Sequence, residues 1–170
     1  MFTLVVIDMQ RIFNPANYEE VIEGVIKEIE YAKKKNAWIM FVEFNGFGRT
    51  KSKILKHTKE YKKKVKVIKK DQNGAFEIIS KSKEKGIPIK NLRVCGVYTN
   101  DCVSDTVLGL SNKIDSNITV NILACGDDIE FPHGTPNFDG RSNKIKIINK
   151  HKVFHLAYIS RKERKCWLLS

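Results

Sequence analysis

The chain has 170 residues, of which 42% are hydrophobic and 29% charged; this balance excludes a disordered or fibrous chain and fits one domain, residues 1–170, around a single core. Its formal net charge of +12 suits an anionic partner such as nucleic acid, or simply solvated lysine faces, and the absence of an RNP signature, zinc-finger spacing or arginine-rich helix favours the second. No segment approaches the about 18 apolar residues of a membrane span, and strand-like residues begin by Thr3 with no signal peptide before them, so a cytoplasmic protein with free thiols is expected.

Taken in order, TLVVIDM (3–9) is a short continuous apolar run, the pattern of a strand buried on both faces. From Tyr18 to Lys35, Val21, Ile22, Val25, Ile26, Ile29 and Ala32 share one helical stripe, with glutamates early and lysines late. AWIMFVEF (37–44) repeats the strand pattern and GFGRT reads as a turn. A lysine-rich helical stretch is expected over 51–63, a strand over 65–69, and a helix over 75–85 that stops at Gly86 to Pro88. LRVCGVY (92–98) is the next buried strand, 103–112 a helix, 118–124 a strand and 144–149 a final strand. Between them, 125–143 carries Pro132, Gly134, Pro136 and Gly140 and reads as a long irregular loop. Strands alternating with helices imply right-handed crossovers and a parallel sheet covered on both faces, a three-layer α/β fold.

In such sheets ligands bind beyond the carboxyl ends of the strands. Asp8 follows the first strand, Lys69 and Lys70 the third, and Tyr98 to Cys102 the fourth. At a helix start, Cys102 faces unpaired backbone N–H groups, which predicts a lowered thiol pKa and a nucleophile. A carboxylate could serve it as base and acid, a lysine could favour the thiolate, and the same N–H groups could hold an oxyanion. Singly, each residue has a plain structural explanation: a capping aspartate, a solvated lysine, a small buried thiol. Cys95 and Cys125 fit that last description, and Cys166 lies in a polar tail.

VVIDMQRIF (5–13), KKDQNGAF (69–76) and VCGVYTNDCV (94–103), in that order, resemble the three motifs of the isochorismatase-like cysteine hydrolases, which include nicotinamidases and carbamoyl amidohydrolases. The resemblance spans about residues 2–125 and implies a six-stranded parallel sheet in the order 3-2-1-4-5-6. It assigns Asp8 as general base and acid, Lys70, ahead of Lys69, as the catalytic lysine, and Cys102 as the nucleophile that forms a thioester. It implies a cis peptide between Val97 and Tyr98, an oxyanion hole from the N–H groups of Tyr98 and Cys102, and a substrate pocket lined by Phe13 and Tyr98. The expected substrate is a small amide or carbamoyl compound, with no cofactor, in a homo-oligomer.

The departures from the pattern bear on the substrate. Where nicotinamidases carry an Asp-x-His pair for a metal, this chain reads VEFNGFGRT, and its histidines His57, His133, His151 and His155 show no such grouping, so no metal is expected. His151 and His155 have i, i+4 spacing, but HKVFH reads equally as strand or loop. True isochorismatases lack the nucleophilic cysteine, so Cys102 argues for C–N chemistry. Three alternatives remain: an idle member whose basic surface binds an anionic partner, a nicotinamidase without the usual metal site, and a redox thiol without a resolving partner.

Overall fold

Uninterrupted runs of Val, Ile and Leu leave no face for water, so they are stable only as strands covered on both sides. The computed structural model, which describes residues 1–128 and 144–148, has the strands β1 (Thr3–Ile7), β2 (Trp38–Phe44), β3 (Val65–Lys70), β4 (Asn91–Val97), β5 (Asn117–Gly126) and β6 (Ile145–Ile148); β3, β5 and β6 carry polar residues and are only partly buried. All pair in parallel, in the order β3-β2-β1-β4-β5-β6. Every residue of β1 is buried, as its central place demands.

Among the described residues the α-helices are α1 (Glu19–Lys34), α2 (Ser52–Leu55), α3 (Ala75–Lys85) and α4 (Ser104–Lys113). The expected stripe of α1 is buried through Val21, Ile22, Val25, Ile29 and Ala32, with Glu19 and Glu20 in its first turn and Lys33 and Lys34 in its last. It packs on β5, β1 and β2, whereas α3 and α4 pack on each other. Because the chain leaves β1 toward β2 and leaves β4 toward β5, right-handed crossovers put α1 and α4 on opposite faces. Among the described residues no helix is long and apolar enough to cross a membrane.

The helix expected over 51–63 does not continue. After α2 the chain tightens into 3-10 turns over Lys56–Lys64, and Tyr61 leaves helical geometry at φ −107° and ψ 16°. This stretch buries only Thr58, so no apolar stripe opposes the repulsion of lysines three and four apart. Its fixed point is instead the Tyr61 hydroxyl, which donates to the Ala37 carbonyl at 2.8 Å. The first strand also ends two residues earlier than expected, because Asp8 turns to φ +51°, in the left-handed region.

β1 and β4 form the point where the strand order reverses, and their ends meet very closely. Gly96 pairs with Ile7, has φ +123°, and a Cβ on it would lie 2.0 Å from the Ile7 carbonyl oxygen. No side chain fits there. Gly96→Ala is therefore expected to cost about 3 kcal/mol or more, seen as a large fall in the denaturation midpoint. On the other side of β4 the register jumps, with Val94 opposite Val120 but Gly96 opposite Cys125. The bulge in β5 brings Gly126 and Asp127 to the end of β4. It also lets Asn121 donate to Glu28, whose carboxylate is bidentate with Arg93 at 2.7 Å for both contacts.

Candidate active site

Asp8 is the first residue beyond β1, and its N–H donates to the Val42 carbonyl at 2.8 Å. Its left-handed backbone, which Asp tolerates better than most residues, places the carboxylate beyond the carboxyl end of β1. There the side chain is fully buried, and its Oδ2 lies 2.7 Å from Lys70 Nζ, itself fully buried. Lys70 ends β3, two strands away, so it reaches Asp8 across β2. Its stem passes Gly74, where a Cβ would come 3.0 Å from Lys70 Cδ, and its ammonium sits 5.2 Å from the centre of the Phe44 ring.

The two adjacent lysines are separated by strand alternation. Lys69 points the opposite way and pairs at 2.7 Å with Glu43 Oε2, while Glu43 Oε1 accepts the Thr50 N–H at 2.6 Å. Burial alone would raise the Glu43 carboxyl, but Lys69 and Thr50 outweigh it and hold the pKa below its ordinary value.

Cys102 lies in a single π-type turn, Thr99–Val103, that precedes α4. The peptide between Val97 and Tyr98 is cis. The half-buried thiol interacts with both the Asp8 carboxylate and the Lys70 ammonium, so the turn brings acid, amine and thiol into one cluster.

The expected lowering of the thiol pKa is overturned. Burial first, and then the negative charge of Asp8, push Cys102 up to about 11, against the opposing pull of Lys70. In the resting protein the thiol holds its proton. The Asp8 pKa is raised as well, by burial, although Lys70 draws it down. Cys95 and Cys125 are fully buried in β4 and β5, and burial drives Cys125 up to about 12 and Cys95 well above the usual thiol value.

Phe13 and Tyr98 meet edge to face with ring centres 5.8 Å apart. Phe13 also packs on Phe47 at 5.6 Å, and Phe47 on Phe44 at 5.4 Å, so the four rings form one cluster. Phe47 is held there by a side chain that sequence reasoning passed over. Gln10 donates Nε2 to the carbonyls of Phe44 at 2.9 Å and Gly48 at 3.0 Å, and its Oε1 accepts the Phe44 N–H at 2.7 Å.

The Thr99–Val103 turn is also held from the end of β5. Asp127, buried, accepts the Asn100 N–H at 2.9 Å, and Thr99 Oγ1 donates to the Gly126 carbonyl at 3.0 Å. Just outside, Asp128 is hydrogen-bonded to the Tyr98 hydroxyl; burial and then the Asp128 charge raise that phenol. A carboxylate close after the 118–124 strand is the only trace of this clasp in the sequence.

Among the described residues no group of three or more His, Cys, Asp and Glu is placed to hold a metal. His57 instead meets Glu30 at 3.0 Å. His133, His151, His155, Cys166 and most of the 125–143 loop lie outside the described residues.

Residues 2–127 match the family model described as the isochorismatase domain. Among solved structures, a nicotinamidase from Staphylococcus aureus is similar at 20% identity and a TM-score of 0.65, over 78% of this chain and 88% of that one. An isochorismatase family protein is similar at 18% identity and 0.64, over 87% and 98%. A ribonuclease from Caenorhabditis elegans is similar at 17% identity and 0.61, over 95% and 72%. At such identities the likeness is one of fold, and one fold serves unrelated chemistries. No curated protein matches the sequence.

Proposed function

The chain belongs to the isochorismatase domain family, and from that premise we propose that it is a cysteine-dependent amidohydrolase that cleaves the C–N bond of a small amide or carbamoyl compound. The observation that carries this reading is the buried contact of Asp8 and Lys70 beside the Cys102 thiol. A redox sensor needs a lowered, exposed thiol, which this one is not.

The raised thiol defines the first step. With its own pKa raised, Asp8 is a stronger base than an ordinary carboxylate, and it takes the proton of Cys102 Sγ as the sulfur attacks the substrate carbonyl carbon. Lys70 offsets the negative charge in the cluster. The oxyanion of the tetrahedral intermediate accepts hydrogen bonds from the N–H groups of Tyr98 and Cys102. Asp8 returns its proton to the leaving nitrogen, the C–N bond breaks, and ammonia or an amine departs from a thioester. Water then gives a proton to Asp8 and adds to the thioester carbon. Collapse expels the sulfur, which recovers the proton as the acid leaves.

The aromatic wall of Phe13, Phe47 and Tyr98 favours a flat acyl group. Nicotinamide, the substrate that the staphylococcal enzyme's name states, is therefore the second reading, without the metal site. We further propose a cytoplasmic homo-oligomer in which the whole chain forms one domain.

The test is ammonia release from a panel of nicotinamide, aliphatic amides and N-carbamoyl amino acids, with wild type and Cys102→Ala side by side. Release by wild type, lost in the variant, together with an acyl adduct on Cys102 captured at low pH by mass spectrometry, is the expected result. Equal release by both proteins would exclude the cysteine mechanism.

A further inference from the structure

For Lys70 and Cys102 to meet, two loops from non-adjacent strands must keep a fixed spacing, and one buried hydroxyl touches both. Thr106, fully buried in the first turn of α4, places Oγ1 2.6 Å from the Cys102 carbonyl oxygen. A helical threonine commonly bonds back in this way. The same hydroxyl also contacts the Asn73 carbonyl oxygen, in the turn that joins Lys70 to α3. That second contact is not local, and it links the loop carrying the amine to the turn carrying the thiol.

The surroundings leave this link little freedom. Asn73 is fixed from its other side, because its Oδ1 accepts the Ala75 N–H at 2.9 Å. On α4, Gly109 admits α3 so closely that a Cβ there would lie 2.8 Å from Ala75 Cβ and 3.3 Å from Asn73 Oδ1. With the hydroxyl removed, the Asn73 turn would lose the side-chain atom that joins it to the Cys102 carbonyl.

We propose that Thr106 is a positioning residue whose hydroxyl, by holding Asn73 against the nucleophile turn, keeps the Lys70 ammonium close to Cys102 Sγ. The inference rests on the proposed role of Cys102 as nucleophile and of Lys70 as its electrostatic partner. Lys70 favours the thiolate, so an ammonium that drifts away leaves the thiol harder to ionise.

The experiment is the rate of Cys102 alkylation by iodoacetamide between pH 8 and 11, followed by peptide mapping, on wild type, Thr106→Val, Thr106→Ser and Lys70→Ala. Thr106→Val is expected to react at least about threefold more slowly at pH 9, the equivalent of about half a pKa unit, and Thr106→Ser to return to the wild-type rate. A merely structural threonine would lower the melting temperature and leave the alkylation profile unmoved. Where Thr106→Val does not fold, Thr106→Ala removes the hydroxyl without added bulk and is read in the same way. If Lys70→Ala slows labelling and neither hydroxyl-free variant does, the positioning role is overturned while the proposed active site stands. If Lys70→Ala also leaves the profile unchanged, both are overturned.

Discussion

Asp8→Asn is expected to move two properties of Cys102 in opposite directions: faster alkylation and nearly abolished hydrolysis. The charge of Asp8 and its hydrogen bond both help to hold the thiol at about 11. An amide of the same shape removes that charge, so the thiol ionises more easily and labelling by iodoacetamide at pH 8 accelerates. Turnover falls by about 10²–10⁴, the usual worth of a positioned acid and base, because nothing remains to protonate the leaving nitrogen. Labelling and ammonia release measured on the same samples provide the check, and slower labelling in the variant would contradict the electrostatic account. In wild type, kcat/KM should rise with pH as Asp8 ionises. Burial raises that pKa, so the acid limb should lie above the ordinary value of 3.8 for aspartate.

Lys70→Met is expected to destabilise the fold by about 3–5 kcal/mol at neutral pH, the cost of stranding one member of a buried pair. The methionine fills much of the lysine's volume, so the loss comes chiefly from the unpaired Asp8 carboxylate. The sign of its pH dependence follows from linkage. Burial raises Asp8, and Lys70 is the main influence that lowers it, so in the variant the folded pKa rises further. A carboxyl raised in the folded state contributes stability that is present below its unfolded value and lost as pH climbs through the folded value. The deficit should therefore be largest near pH 7 and shrink on acidification toward pH 5, as read by urea denaturation at both values. Adding Asp8→Asn to Lys70→Met should recover most of the loss; no recovery would place the destabilisation in packing instead.

The central strands β1, β2 and β4 were legible as mostly apolar runs, the outer ones as short β-branched segments broken by polar residues, and the candidate trio because each member stands at or beyond the end of a strand. Between Lys69 and Lys70 the motif spacing favoured the second, and alternation along β3 gives the physical reason: Lys70 shares a face with buried Ile68. Other features depend on distance in space. Gln10, Thr106 and Asp127 act through hydrogen bonds to backbone atoms of loops remote in the chain, and no local pattern marks such a residue. The state of the thiol is not legible in the sequence, because a helix start suggests only the favourable dipole, whereas burial and the Asp8 charge depend on what folds over the turn. The lysine-rich 51–63 stretch departs from a regular helix because helix-forming residues without an apolar stripe have nothing to pack against.

The alternation that sends Lys70 inward has a further consequence at the outer side of β3. In the described sheet this strand is the last on its side, with its outer backbone groups open to pairing by another chain, the usual starting point of edge-to-edge aggregation. Lys66 lies over the Trp38 ring and Lys69 is half-exposed beside Glu43. Lysines on an edge strand oppose such pairing, because a second copy laid beside it would bring like charges together.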